Sequence, residues 1–162
     1  VPIHGESLRV YVGLSGESSM SVLDFLNREI EMGLVNVKTY QDFSKKVESN
    51  KHELKSVLTK LKDVGKRIVG YGAPAKGNTL LNYFKIGPET IDFITDTTPS
   101  KQGTFTPGSR IQIVSPENLK KEIPDYILLL SWNYADSILE KEKELREKGV
   151  RFIIPVPTVR II

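Results

Sequence analysis

Residues 66–84 constrain the fold of this chain more than any other stretch. Arg67–Tyr71 is a short apolar run of strand character, and Leu80, Leu81 and Phe84 recur behind it at helical spacing. Between them stands Gly70-Tyr71-Gly72-Ala73-Pro74-Ala75-Lys76-Gly77, in which Gly70, Gly72 and Ala75 match the G-x-G-x-x-G/A spacing of phosphate-holding strand–turn–helix units. In that pattern the first glycine permits a tight turn and the second lets a phosphate approach the backbone. The small third residue lets helix and strand pack closely. The helix N-terminus then aims free amides at the anion. Pro74 suits a helix start, where a missing N–H costs little. Lys76 falls in the first turn, where the helix dipole disfavours a cation, so a bound phosphate gives it a reason to be there. A plain tight turn followed by an exposed lysine fits the same residues.

The rest of the C-terminal two-thirds keeps a strand–helix rhythm. Ile91–Thr95, Arg110–Val114, Asp125–Leu130 and Arg151–Val156 have strand character, and Val159–Ile162 is a candidate edge strand. Ile127–Leu130 is continuously apolar, as expected of a strand covered on both faces. Ser115-Pro116-Glu117 marks a helix start with a Ser cap, and Ala135–Lys148 a helix stopped by Gly149. This alternation predicts an α/β fold, a Rossmann-like and mostly parallel sheet of about five strands with helices on both faces. Ahead of it, Ile3–Leu14 alternates like an extended β segment. Two helical stripes follow, with Ser21/Asp24 and Thr39/Asp42 as candidate capping boxes and Gly33 and Gly65 as stops. The expected division is therefore 1–14, a terminal strand segment of a catalytic domain that is missing here; 15–65, a helical connector; and 66–162, the Rossmann-like domain. The start at Val-Pro-Ile, without Met, fits a piece of a longer or processed protein.

Two further segments fall at the same end of such a sheet. Asp96 closes the second strand of the Rossmann part, 24 positions after Gly72, where an acid can hold ribose hydroxyls. It fits a turn-forming role before Thr97-Thr98-Pro99 equally well. Ser131-Trp132-Asn133-Tyr134 follows the fourth strand. The first and fourth strands are neighbours in the usual order, which sets this segment beside the Gly70–Gly77 loop. An aromatic ring there can cover a base or sugar, and Asn133 can bond polar ligand groups. A core role for Trp132 and a helix-capping role for Asn133 compete with that reading.

Composition closes off several other chemistries. The chain has no cysteine, which excludes disulfides and thiolate metal sites, and its two histidines, His4 and His52, stand far apart. Its 23 Lys and Arg are interspersed with 20 Asp and Glu, a net +3 too weak and dispersed for a nucleic-acid surface. No apolar run approaches the roughly 18 residues of a membrane span, and no basic-then-apolar leader is visible. A cytoplasmic protein is expected. No G-x-S-x-G elbow and no paired carboxylates stand out, and His4, near Glu6 and Ser7, has no argued partner.

The stretch Gly70-Tyr71-Gly72-Ala73-Pro74-Ala75-Lys76-Gly77-Asn78-Thr79-Leu80-Leu81-Asn82-Tyr83 resembles the hallmark of the C-terminal domain of sugar C-methyltransferases. These enzymes add a methyl group to a carbon of nucleotide-linked 4-keto deoxysugars. Similar too are Ile91-Asp92-Phe93 with Asp96, Pro99 with Lys101 and Gly103, Pro107-Gly108, Asp125-Tyr126 and Ser131-Trp132-Asn133. His4-Gly5-Glu6-Ser7-Leu8-Arg9 resembles the last strand of the family's catalytic domain, with Glu6 where a Gly is usual. The resemblance implies a transferase in which a zinc-binding region and an S-adenosylmethionine domain precede this part. The C-terminal domain then helps hold the nucleotide-sugar across the cleft from the methyl donor. The implied partners are that sugar and the upstream catalytic domain, with no nucleic acid and no membrane.

The candidate substrate contacts are Tyr71, Gly72, Ala73, Pro74, Ala75, Lys76, Asn78, Asp96, Ser131, Trp132, Asn133 and Tyr134. No catalytic residue and no metal ligand is assigned within the chain. The cofactor and the proton-removing base are expected in the missing part, and this piece alone is expected to be inactive. Two other readings compete. One is the NAD-binding domain of an oxidoreductase, with Asp96 on the ribose. The other is a structural module braced by the long Thr39–Val64 helix, in which Leu54→Glu would break an assembly.

Overall fold

The computed structural model describes residues 7–162, so His4 and Glu6 lie outside the described residues. The chain divides into two units, Val1–Ser49 and Asn50–Ile162. The second carries the sheet.

Short apolar runs form its strands, because buried backbone must find ladder partners while the side chains fill both faces. They are β1 (Ile68–Tyr71), β2 (Ile94–Thr95), β3 (Ile113–Val114), β4 (Tyr126–Leu129), β5 (Arg151–Ile154) and β6 (Arg160–Ile161). The order across the sheet is β3-β2-β1-β4-β5-β6. Five strands run parallel, and β6 pairs antiparallel with β5. The neighbours β1 and β4 match Gly70 with Leu128 and Tyr71 with Leu129. The fold is thus α/β and Rossmann-like, with the candidate edge strand added as a sixth member.

Side chains alternate across it with the two-residue period of a strand. Val69, Tyr71, Ile127, Leu129, Phe152 and Ile154 pack on one face with Ala135, Ile138 and Leu139 of α5 (Ala135–Lys141), Leu145 of α6 (Lys143–Glu147) and Leu119 of α4 (Asn118–Lys121). On the other face α3 (Ala75–Phe84) lies against Leu130, and its Leu80, Leu81 and Phe84 are buried. Each such side chain taken from water contributes about 1.5–3 kcal/mol. Leu54 and Leu58 of α2 (Val37–Asp63) are also fully buried, so the second half of that helix belongs to this core.

Several elements differ in length from their expected spans. Ala135–Lys148 is two helices, broken at Glu142 (φ −99°, ψ 28°), whose carboxylate is drawn to the Tyr71 hydroxyl at 2.7 Å. The helix expected at Ser115 begins at Asn118 and lasts four residues. Ser115 Oγ instead accepts the Glu117 N–H at 3.4 Å in the preceding turn, and Pro124 limits the far end.

In the first unit, Ser7–Leu14 pairs with no strand, so the extended reading of Ile3–Leu14 does not become a ladder over those residues. α1 (Met20–Glu31) buries none of its residues. α2 starts at Val37 and is capped by Asn36, whose Oδ1 accepts the Lys38 N–H at 2.9 Å. Thr39 does not cap it. Its hydroxyl donates to the Gly33 carbonyl at 2.8 Å and ties the turn between the helices.

Candidate functional site

The site is built where β1 passes into α3. Gly72 leaves the strand with φ +80°, a conformation side chains disfavour, and its N–H donates to the Thr95 carbonyl at 2.7 Å. A Cβ on Gly72 would stand 2.3 Å from Ser131 Oγ. The glycine therefore lets two loops meet. The packing role expected of the third motif position falls elsewhere. Ala75 is exposed, and the close approach of helix to strand is made by Gly77, where a Cβ would lie 2.8 Å from Leu130 Cβ. The helical ladder opens with the Asn78 N–H on the Pro74 carbonyl at 3.0 Å, which leaves the amides of the first turn directed outward.

Lys76, Trp132 and Asn133 come together as their strand ends predict. Lys76 Nζ donates to Asn133 Oδ1 and lies 4.8 Å from the centre of the Trp132 ring. Burial lowers the Lys76 pKa from its ordinary value of 10.5. Among the described residues, no carboxylate makes an ion pair with it. Trp132 is half-buried and leans on the α5-side core, so it serves both the packing and the site. The residue before α5 is Tyr134, with no side-chain cap bond, and the Asn133 side chain accepts from Lys76.

Asp96 stands at the end of β2 and is 9% exposed. Its Oδ2 accepts the Ala73 N–H at 2.7 Å and Lys101 Nζ at 3.3 Å, and its Oδ1 accepts the Thr98 N–H at 2.8 Å. Burial pushes this carboxyl up, but the bonds from Thr98 and Ala73 and the charge of Lys101 together outweigh it and hold the pKa below 3.8. These are the bonds of the turn-forming alternative, and they clamp the glycine loop to the loop that follows β2.

Two recesses flank the loop. The one on the α5 side, about 310 Å³, is walled by hydroxyls and charges of Tyr71, Thr95, Asp96, Ser131, Tyr134 and Lys141. There the Tyr71 hydroxyl donates to Glu142 Oε1 at 2.7 Å and accepts from Lys141 Nζ at 3.3 Å. Burial, then the Glu142 bond, push the phenol far above its usual range, so it stays neutral. The recess on the α3 side, about 380 Å³, is bounded by Pro74, Asn78, Lys101 and Phe105 among others. Asn78 Oδ1 is buried without a hydrogen-bond partner, which costs about 1–3 kcal/mol. Sequence reasoning missed Glu142 and Lys141, which lie about 70 positions from Tyr71 with no shared pattern. It also missed Phe105, whose only signal was an aromatic inside a Gly- and Pro-rich loop.

The family model described as C-methyltransferase C-terminal domain matches residues 2–157. The chain belongs to that family. It is similar to the C-methyltransferase NovU of Streptomyces niveus, 40% identical over 163 residues that cover 99% of this chain and 39% of that relative. The chain thus spans about two-fifths of the length of the curated relative it matches. This member of the C-methyltransferase C-terminal domain family has, among the described residues, no group of three His, Asp or Glu able to hold a metal ion. None of its described helices is long and apolar enough to cross a membrane.

Proposed function

We propose that this chain is the substrate-holding part of an S-adenosylmethionine-dependent C-methyltransferase acting on a nucleotide-linked keto-deoxysugar. One observation carries the reading. Lys76 is a partly desolvated cation in the first turn of a ten-residue helix, held in place by Asn133 and Trp132, with no carboxylate paired to it among the described residues. A diphosphate brings the missing negative charge, and the outward amides of the same turn bond its oxygens. The hydroxyl-rich recess beside it suits a sugar. S-adenosylmethionine supplies an electrophilic methyl group, and the remainder of the protein is its place in this reading. Asp96, the carboxylate that would take an adenosine ribose here, is occupied by the loop itself. That counts against holding either S-adenosylmethionine or NAD in the dinucleotide manner.

The test is a calorimetric titration of the chain at low salt with thymidine diphosphate, NAD and S-adenosylmethionine in parallel. Thymidine diphosphate is expected to bind, and Lys76→Ala to weaken it by about 1.5–3 kcal/mol, the loss of a charge-assisted hydrogen bond. Unchanged affinity in the variant removes Lys76 from the site, and binding of NAD alone favours an oxidoreductase.

A further inference from the structure

We propose that the recess on the α3 side of the glycine loop seats the nucleobase of the ligand, its face on Phe105 and a ring N–H directed to Asn78. This rests on the nucleotide reading above and says which part of the ligand goes where.

The recess is chiefly apolar, walled by Pro74, Leu81, Phe105, Pro107, Ile113 and Leu130. Phe105 is 60% exposed, yet it is not on a loose loop. It forms an antiparallel bridge with Gln112, and its neighbours bond across the same turn, with Ile113 N–H on the Thr104 carbonyl at 2.8 Å and Thr106 N–H on the Ile111 carbonyl at 2.9 Å. An aromatic face presented to solvent by a fixed turn is a stacking platform, and every base has a π-face to offer it.

The polar groups around the recess narrow the occupant further. Lys101 Nζ is taken by the Ala73 carbonyl at 3.0 Å and by Asp96. Thr104 Oγ1 donates to the Lys101 carbonyl at 2.6 Å, and Thr106 Oγ1 bonds Ser109 and Ile111. A sugar or a phosphate finds few free partners there. Asn78 Oδ1 is the buried side-chain acceptor left unpaired among the described residues. Because the atom is buried, the Asn78 amide has to rotate to present it to a ligand donor in the recess that Asn78 lines. The imide N–H of thymine or uracil supplies that donor on a flat, mostly apolar ring. Pro74 and Ala75 border the recess and also open α3, so a base seated here leaves its phosphates beside the first turn and Lys76.

The experiment titrates the 162-residue chain with thymidine diphosphate, its N3-methylated analogue and inorganic pyrophosphate, in the native sequence and in Phe105→Ala and Lys76→Ala. Phe105→Ala is expected to weaken thymidine diphosphate about tenfold or more, the worth of one stacked base, and to leave pyrophosphate within about twofold. N3-methylation is expected to weaken binding to the native chain, and Lys76→Ala to weaken both thymidine diphosphate and pyrophosphate. Proton NMR is expected to show the base protons close to the Phe105 ring. Thermal unfolding checks that Phe105→Ala is folded, and for so exposed a side chain its midpoint should hold. If Lys76→Ala weakens thymidine diphosphate but Phe105→Ala does not, the base lies elsewhere and the phosphate reading stands. Equal losses of nucleotide and pyrophosphate in Phe105→Ala also overturn the inference, and an unaffected N3-methyl analogue overturns the Asn78 contact. No binding of thymidine diphosphate to the native chain overturns both readings.

Discussion

Gly72, Ala75 and Gly77 separate what a motif says from what each position does. Gly77→Ala forces a Cβ into Leu130 and is expected to cost about 1–3 kcal/mol, whereas Ala75→Ser at the exposed motif position should stay within about 0.5 kcal/mol in denaturant unfolding. The spacing was legible in the sequence. Which small residue faces the strand was not, because that depends on the helix start, and the ladder begins only at Asn78. Asp96 offers a test by pH. Its folded pKa lies below 3.8, so its stabilisation is present above that value and is lost as pH falls through the lower folded one. Asp96→Asn is expected to destabilise the chain by about 1–3 kcal/mol near neutrality, with the gap to the native protein closing in acid. Lys76 has the opposite sense. Burial lowers its pKa, so affinity for a diphosphate should begin to fall at a pH below 10.5, earlier than for an exposed lysine, when titrations are repeated up the pH scale.

The strands were legible because a segment buried on both faces has to be apolar throughout, as Ile127–Leu130 is. The break at Glu142 was not, because its cause is a hydroxyl on another strand. Ownership of α2 was hidden too. Its apolar stripe is interrupted only by the polar Asn50 and Lys51, yet of its residues only Leu54 and Leu58 are buried, so Leu54→Glu tests folding of the sheet-bearing unit rather than assembly. The end of α3 shows a local misfit. Lys85 adopts φ 54° and ψ 58° where glycine is the usual residue. Lys85→Gly relieves that strain at some cost in chain entropy, and a net gain of about 0.5–1 kcal/mol in thermal unfolding is expected.

Across the molecule, apolar surface is unevenly spent. In the unit Val1–Ser49, α1 keeps Val22, Leu23, Phe25, Leu26 and Ile30 between 43% and 62% exposed. Because none of its residues is buried, Leu26→Glu should change stability by less than about 0.5 kcal/mol. The sheet, by contrast, decides when the site exists at all. Lys76 and Asn133 are 57 positions apart, and β1 reaches its neighbour β4 only after β2 and β3 have been laid on its other side. A ribosome that has released the glycine loop has therefore made a lysine without a seat. The seat arrives with residues 131–134, so during synthesis Lys76 stays unseated until those residues have emerged.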